Sequence, residues 1–311
     1  MTGRLRHEAA AFGSSDAMLS VVVPLLDEAV ATGVPAIVRF GDDWAAPLRE
    51  RLAAPERVEF VGGGADPNPI RAVRAMREAA LAHLADGADQ VRLLGSVPDS
   101  SLASGASWEQ WARYEAAFNE TFADVPAWAV CCYPTWPGSQ VTDDVASTHS
   151  RLGGVDGWRE SPSYVDPRCF VADRKPTPAE RLDAGPPAIE LHDPHPAIAR
   201  DSARRLGERA GLDAGQVDDF VLGANEVITN AFLHGRKPVV VRGWVGDGAL
   251  LLTVRDGGSG VADPFIGMLQ PGDNRSVPGG YGIWLARMCS DLVSFSQDAD
   301  GFTVRMTALS D

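Results

Sequence analysis

Apolar positions fall into two alternating patterns along the first half of the chain. Residues 18–31 set Leu19, Val22, Val23, Leu26 and Val30 on one face at helical spacing, and helical stretches recur around 46–52, 70–85 and 108–122. Short strand-like runs lie at 34–40, 58–61, 91–94 and 128–133. Strands alternating with helices predict a largely parallel sheet covered on both faces. Ligands of such sheets sit beyond the carboxyl ends of the strands, which singles out the loops at 40–44, 61–67 and 95–101.

The alternation breaks between 171 and 196, where repeated prolines stop any helix and Arg174 and Lys175 keep the segment solvated. The expected division is an α/β domain over 1–172, a linker over 173–187 and a second domain over 188–311. The second opens on a strand at 188–192. A helix at 215–234, a buried strand at 250–255 and a helix at 283–292 follow, and strands at 292–296 and 302–308 complete a sheet.

Bulk properties narrow the function. A length of 311 residues with 45% apolar content gives each domain a core. The formal net charge of −14 argues against a direct nucleic-acid partner, because phosphate backbones reward clustered Lys and Arg. No window approaches a membrane span, and the first residues lack a secretory pattern, so a cytoplasmic protein is expected. The cysteines, Cys131, Cys132, Cys169 and Cys289, fit neither a C-x-x-C pair nor a disulfide framework. They read as reduced core residues, with adjacent Cys131 and Cys132 a redox alternative.

Chemistry concentrates in the last third. In the 215–234 helix, Val217, Phe220, Val221, Ala224, Val227, Ile228 and Ala231 form a stripe of about 120° at 100° per residue. Glu226 and Asn230 share another face one turn apart. An isolated E-x-x-x-N is an ordinary amphipathic helix. Downstream, the 250–255 strand ends in Asp256 and runs into Gly257, Gly258, Ser259 and Gly260. A carboxylate there can accept from an adenine amine, while glycines let the chain turn beside a flat base. Residues 261–278 lack periodicity and suit a cover over a nucleotide. Gly279, Gly280, Tyr281 and Gly282 then lead into a helix whose first N–H groups favour phosphate. Each stretch alone is weak; their order and setting point to ATP.

In this order the motifs resemble the histidine-kinase-type ATPase superfamily, whose members share a mixed sheet faced by helices, with ATP held between helix and lid. The likeness covers about 188–309. It implies that Asn230 coordinates Mg2+, that Glu226 serves as general base or polarises the acceptor group, and that Asp256 reads adenine. Gly258, Gly260, Gly280 and Gly282 would shape the pocket and the phosphate loop. A sensor histidine kinase needs a phospho-acceptor histidine on a dimerising helix pair; His192 and His195 lie between prolines, and His149 lacks a following acidic residue. The texture of NAFLHG and GIWLARMCSDLV is similar instead to the anti-sigma-factor Ser/Thr kinases. These bind a sigma factor in one state and phosphorylate an antagonist protein in another, often as homodimers. Arg275 or Arg287 could add charge stabilisation to such a transfer. A non-catalytic ATP-dependent binding switch and a sensor histidine kinase remain the alternatives.

The front half resembles the sensory domain of methanogen and methylotroph regulators, including the dichloromethane repressor. The likeness rests on His7, D-E-A-V-A-T-G before V-P-A-I-V, and T-H-S-R-L followed by D-G-W-R-E-S-P-S-Y-V-D-P. It spans about 7–170 and implies a RecA-like fold receiving a small-molecule signal. No G-x-x-x-x-G-K-[ST] is present, so no P-loop is expected. Trp108, Trp111, Phe118 and Phe122, with position 115, make one helical stripe that reads as core packing beside Tyr114. His7 and His149 could meet at a ligand or metal, but without cysteine or carboxylate spacing around them a structural role is the favoured expectation.

Overall fold

The computed structural model describes residues 5–62, 68–98, 102, 105–134, 140–174, 179–246, 248–268 and 280–310. The chain splits into two compact units, Met1–Arg174 and Lys175–Asp311.

The first unit has strands β1 (Arg6–Phe12), β2 (Ala36–Arg39), β3 (Val58–Phe60), β4 (Val91–Ser96), β5 (Ala127–Pro134), β6 (Arg151–Gly154) and β7 (Gly157–Glu160). They form one sheet in the order β3-β2-β4-β5-β1-β6-β7. Every pairing is parallel except the β6–β7 hairpin. Helices are α1 (Ser15–Ala31), α2 (Asp42–Arg51), α3 (Pro69–Ala85), α4 (Gly105–Thr121), α5 (Gln140–Thr148) and α6 (Pro167–Ala172). The period of two along a strand divides neighbours between faces. Ala10 and Cys132 join the core built with α1 and α2, whereas Ala9 and Tyr133 pack with Trp108, Trp111, Val141, Val145 and Phe170 from α4, α5 and α6.

β1 is a strand that the hydrophobic pattern does not predict. RHEAAAF has no β-branched residue, so its intrinsic preference for strand is weak, and its place comes from burial between β5 and β6. The hairpin at 151–160 is equally unsignalled, with two glycines in β6 and one opening β7.

The second unit has strands β8 (Ile189–His192), β9 (Val240–Gly246), β10 (Ala249–Asp256), β11 (Leu292–Asp298) and β12 (Gly301–Leu309). Their order is β11-β12-β10-β9-β8, and every pairing is antiparallel. That departs from the mixed sheet the resemblance implied: β12 folds back between β10 and β11, and β9 between β10 and β8, so no two strands of one direction are neighbours. Helices α7 (Pro196–Ala210), α8 (Ala214–His234) and α9 (Tyr281–Met288) supply the other layer of the core. Pro196 opens α7 and Gly211 closes it at φ 84°, the asymmetry expected of helix ends. α8 starts on a capping box between Asp213 and Gln216. Its predicted stripe is buried apart from Val221, which is half-buried. Each fully buried Val, Ile or Phe stabilises by roughly 1.5–3 kcal/mol over its exposed state.

The stretch read as a linker carries structure of its own. Residues Glu180–Ala184 form a short 3-10 helix, with Glu180 buried and accepting from Ser294 Oγ. α9 spans Tyr281–Met288 rather than 283–292, because the chain must turn at Cys289 to enter β11.

Candidate functional site

The three motifs of the second unit come together at the open end of α8. Glu226 and Asn230 project from neighbouring turns, both half-buried. The start of α9 lies directly against them: a Cβ built on Gly282 would sit 2.9 Å from Asn230 Nδ2 and 3.0 Å from Glu226 Oε2. Glycine leaves the Asn230 and Glu226 side-chain ends where they stand, whereas a Cβ would make them shift. Gly280 caps α9 at φ 92°, a left-handed conformation that bulkier residues rarely adopt. Trp284 N–H donates to Gly280 O at 2.8 Å, the first bond of the helix. The N–H groups of Tyr281, Gly282 and Ile283 therefore lack intrahelical partners and carry the positive end of the helix dipole.

Asp256 joins this group through the turn that follows α8. Its carboxylate is buried, and Oδ1 accepts from Gly258 N–H at 2.6 Å and Arg236 N–H at 3.3 Å. Gly235 packs so closely that its Cβ would meet Asp256 Cγ at 2.4 Å. Both bonds go to one oxygen, so the other is open to a further donor. Gly258 is held by the same crowding, its Cβ position being 2.6 Å from Asp256 Oδ1. Gly260, at φ 64°, has its Cβ direction filled by the Phe302 ring at 2.2 Å, so its approach is to the core.

Mg2+ favours hard oxygen ligands and keeps several waters, so one or two protein oxygens beside the phosphates suffice. The Asn230 amide oxygen, beside the Glu226 carboxylate and close to a helix start, supplies that donor chemistry. Gly279, Arg275 and most of the cover fall outside the described residues. Arg287 is corrected from a candidate transition-state cation to a packing residue. It is buried, donates to Ile266 O and Val293 O at 3.1 and 3.0 Å, and stacks on Phe295.

In the first unit, His7 and His149 do meet, with ring centroids 4.2 Å apart. The sequence shows no cysteine or carboxylate spacing around them, but the fold supplies both. Glu115 from α4 and Cys131 from β5 stand between them. Position 115 falls on the aromatic stripe of α4, so the fold buries a carboxylate at a place where spacing reads core. Burial disfavours the Glu115 anion, yet the flanking His149 and His7 rings outweigh it and hold the carboxyl well below the usual range. Burial and the neighbouring His149 lower His7 to about 4. Burial beside Glu115 pushes the Cys131 thiol well above its ordinary value. The aromatic members of the stripe, Trp108, Trp111, Phe118 and Phe122, are core residues together with Tyr114. Of the cysteines read as core, Cys132 is buried, Cys131 and Cys289 are half-buried and Cys169 is exposed.

The three histidines weighed as phospho-acceptors are each held by a neighbour. His195 Nδ1 accepts from Ala197 N–H at 3.3 Å at the start of α7, and His192 pairs with Glu190. His149 is wholly buried, and its Nδ1 donates to Val145 O at 2.9 Å. Among the described residues between 161 and 189 the longest helix is α6, Pro167–Ala172, too short for a dimerising pair.

Residues 6–150 match the family described as MEDS, the methanogen/methylotroph DcmR sensory domain. Residues 191–308 match the histidine kinase-like ATPase domain. Both resemblances drawn from the motifs are met by these matches. Among solved structures, the RsbU and RsbW domains of a Mycobacterium tuberculosis protein share 20% identity over 40% of this chain and 32% of that one, with a TM-score of 0.29. This chain therefore spans about a third of the length of that structure. No curated protein matches the chain. Among the described residues no helix is long and apolar enough to cross a membrane.

Proposed function

We propose that the chain is an ATP-dependent regulatory protein kinase of the anti-sigma-factor Ser/Thr type, in which the first unit biases how the second engages protein partners. The observation that carries the reading is the approach of Gly282 onto Glu226 and Asn230, with Asp256 tied to the end of the same helix. A helix N-terminus, the Glu226 and Asn230 side chains and a buried carboxylate at the end of α8 are the groups that support it. Asp256 accepts the adenine amine, the free N–H groups of α9 take the phosphates, and Asn230 holds Mg2+ beside Glu226.

Phosphoryl transfer asks the protein mainly for positioning and charge neutralisation. Mg2+, when bound, neutralises phosphate charge. Glu226 orients the acceptor hydroxyl and takes its proton, and the α9 N–H groups hold the transferring group in line. The burial of His149, with Nδ1 committed to a backbone carbonyl, weighs against a phosphohistidine route. So does the shortness of the helices described between the units.

Incubation of the full chain with γ-labelled ATP and a candidate antagonist protein tests this reading. Acid-stable label on serine or threonine, lost in Glu226→Gln, supports it. Acid-labile label on histidine contradicts it, and tight nucleotide binding without transfer favours the non-catalytic switch.

A further inference from the structure

We infer that His7, Glu115, Cys131 and His149 form a binding site for a divalent transition metal of the zinc class inside the first unit. One donor atom from each lies within 4.8 Å of the others. The four come from β1, α4, β5 and the residue that follows α5, so the fold itself, and no local motif, assembles the set.

The separations fit an ion better than a hydrogen-bonded cluster. Bonds of about 2.0–2.3 Å to a tetrahedral ion put its donor atoms about 3.3–3.8 Å apart. Here His7 Nε2 stands 3.3 Å from Cys131 Sγ and 3.5 Å from Glu115 Oε2. Glu115 Oε2 is 3.4 Å from Cys131 Sγ and 3.4 Å from His149 Nε2. Charge-assisted N–H···O bonds close to about 2.7–2.9 Å, and neither His–Glu115 pair does, whereas the two sulfur contacts have lengths that a hydrogen bond also allows.

The tautomer of His149 strengthens the case. A backbone carbonyl can only accept, so the 2.9 Å contact with Val145 O places a proton on Nδ1. In the neutral ring the Nε2 lone pair then faces the Glu115 carboxylate, and this buried nitrogen has no hydrogen-bond partner among the described residues. Two lone pairs aimed at one another repel unless a cation, whether a metal ion or a proton, lies between them, and metal uptake separates the two. A ligating histidine whose other N–H is held by a carbonyl is also the usual outer-shell arrangement of metal sites.

Imidazole nitrogens with a thiolate and a carboxylate suit zinc and its borderline neighbours, whereas Mg2+ and Ca2+ would take oxygen alone. A cavity of about 40 Å³, lined by Glu115, Cys131, Arg39, Met76, Trp111 and Phe118, adjoins the donors. It is large enough for water-sized species to reach them. The cavity meets β2 and β4 at Arg39 and Gly95, their carboxyl ends, where ligands of parallel sheets sit.

The test uses the full chain, treated with a chelator and titrated with Co2+ alone, whose absorption reports the ligands that colourless Zn2+ conceals. The inference predicts uptake of one Co2+ per chain, a thiolate-to-cobalt charge-transfer band, displacement by Zn2+ and loss of the band in Cys131→Ser. Glu115→Gln, which preserves shape, should weaken uptake by more than the roughly 10- to 100-fold cost of losing an outer-shell partner. Circular dichroism establishes that each variant is folded. If Cys131→Ser fails to fold, the band in the unaltered protein and the Glu115→Gln affinity decide. A folded unaltered protein that takes up no Co2+, uptake without the charge-transfer band, a band that survives in folded Cys131→Ser, or uptake unchanged in Glu115→Gln overturns the inference.

Discussion

The second unit draws its candidate ligands from stretches that each bear glycines, whereas the first draws four side chains from separate elements that share no pattern. The difference lies in what the site is made of. The candidate phosphate contacts use the main chain at the start of α9, and a main chain that approaches a neighbour closely needs glycine at fixed places, as Gly235 shows. Side-chain donors, Glu226, Asn230 and Asp256 among them, need only one suitable residue each. Side chains framed by such glycines therefore show in sequence spacing, and lone side chains gathered across a parallel sheet do not.

The contrast is sharpened most by separating chemistry from binding in the second unit. Glu226→Gln is expected to lower phosphoryl transfer about 100- to 10,000-fold, the usual range for a lost general base. Nucleotide affinity should change little, because the fold contacts of that helix face are untouched. Transfer kinetics beside equilibrium titration measure both; full-rate transfer in this variant removes Glu226 from its role.

Core truncations come next. Phe220 and Phe122 are each buried in the core of one unit, and replacement by alanine should cost about 3–5 kcal/mol in either. Phe220→Ala should then weaken nucleotide uptake at a temperature where the cobalt band persists, and Phe122→Ala should do the reverse. Denaturant melts followed by these two ligands check the pairing, and loss of both ligands together in each variant would break it.

Asp256→Asn keeps the shape of the strand end but removes the anionic acceptor. Its expected cost is about 1.5–3 kcal/mol of adenine recognition, roughly 10- to 150-fold in affinity. Guanine nucleotides, which present a carbonyl at the corresponding position, should bind poorly to the unaltered protein and lose less on substitution. Competition titration distinguishes these cases. The smallest effect belongs to Asp213→Ala, which opens the capping box of α8 and should cost about 1 kcal/mol in a thermal melt.

Legibility varied for physical reasons. Strands β2 to β5 announce themselves through β-branched and aromatic runs, and α8 through its stripe. β1 does not, since its alanines gain their place from neighbours that only the fold supplies. The ATP motifs were readable with their helix and strand settings, although Gly260 turns out to face Phe302 and Arg287 to serve packing. His7 and His149 were legible as a pair that could meet, whereas Glu115 was hidden in a stripe of aromatics where only a carboxylate at a core-facing position hinted at it.

Isothermal titration of the full, folded chain with ATP in the presence of Mg2+ addresses the central claim most directly. The account predicts saturable uptake of a single nucleotide that depends on Mg2+ and falls away in Asn230→Ala. Absence of binding to the folded protein, or binding indifferent to Asn230, would contradict it.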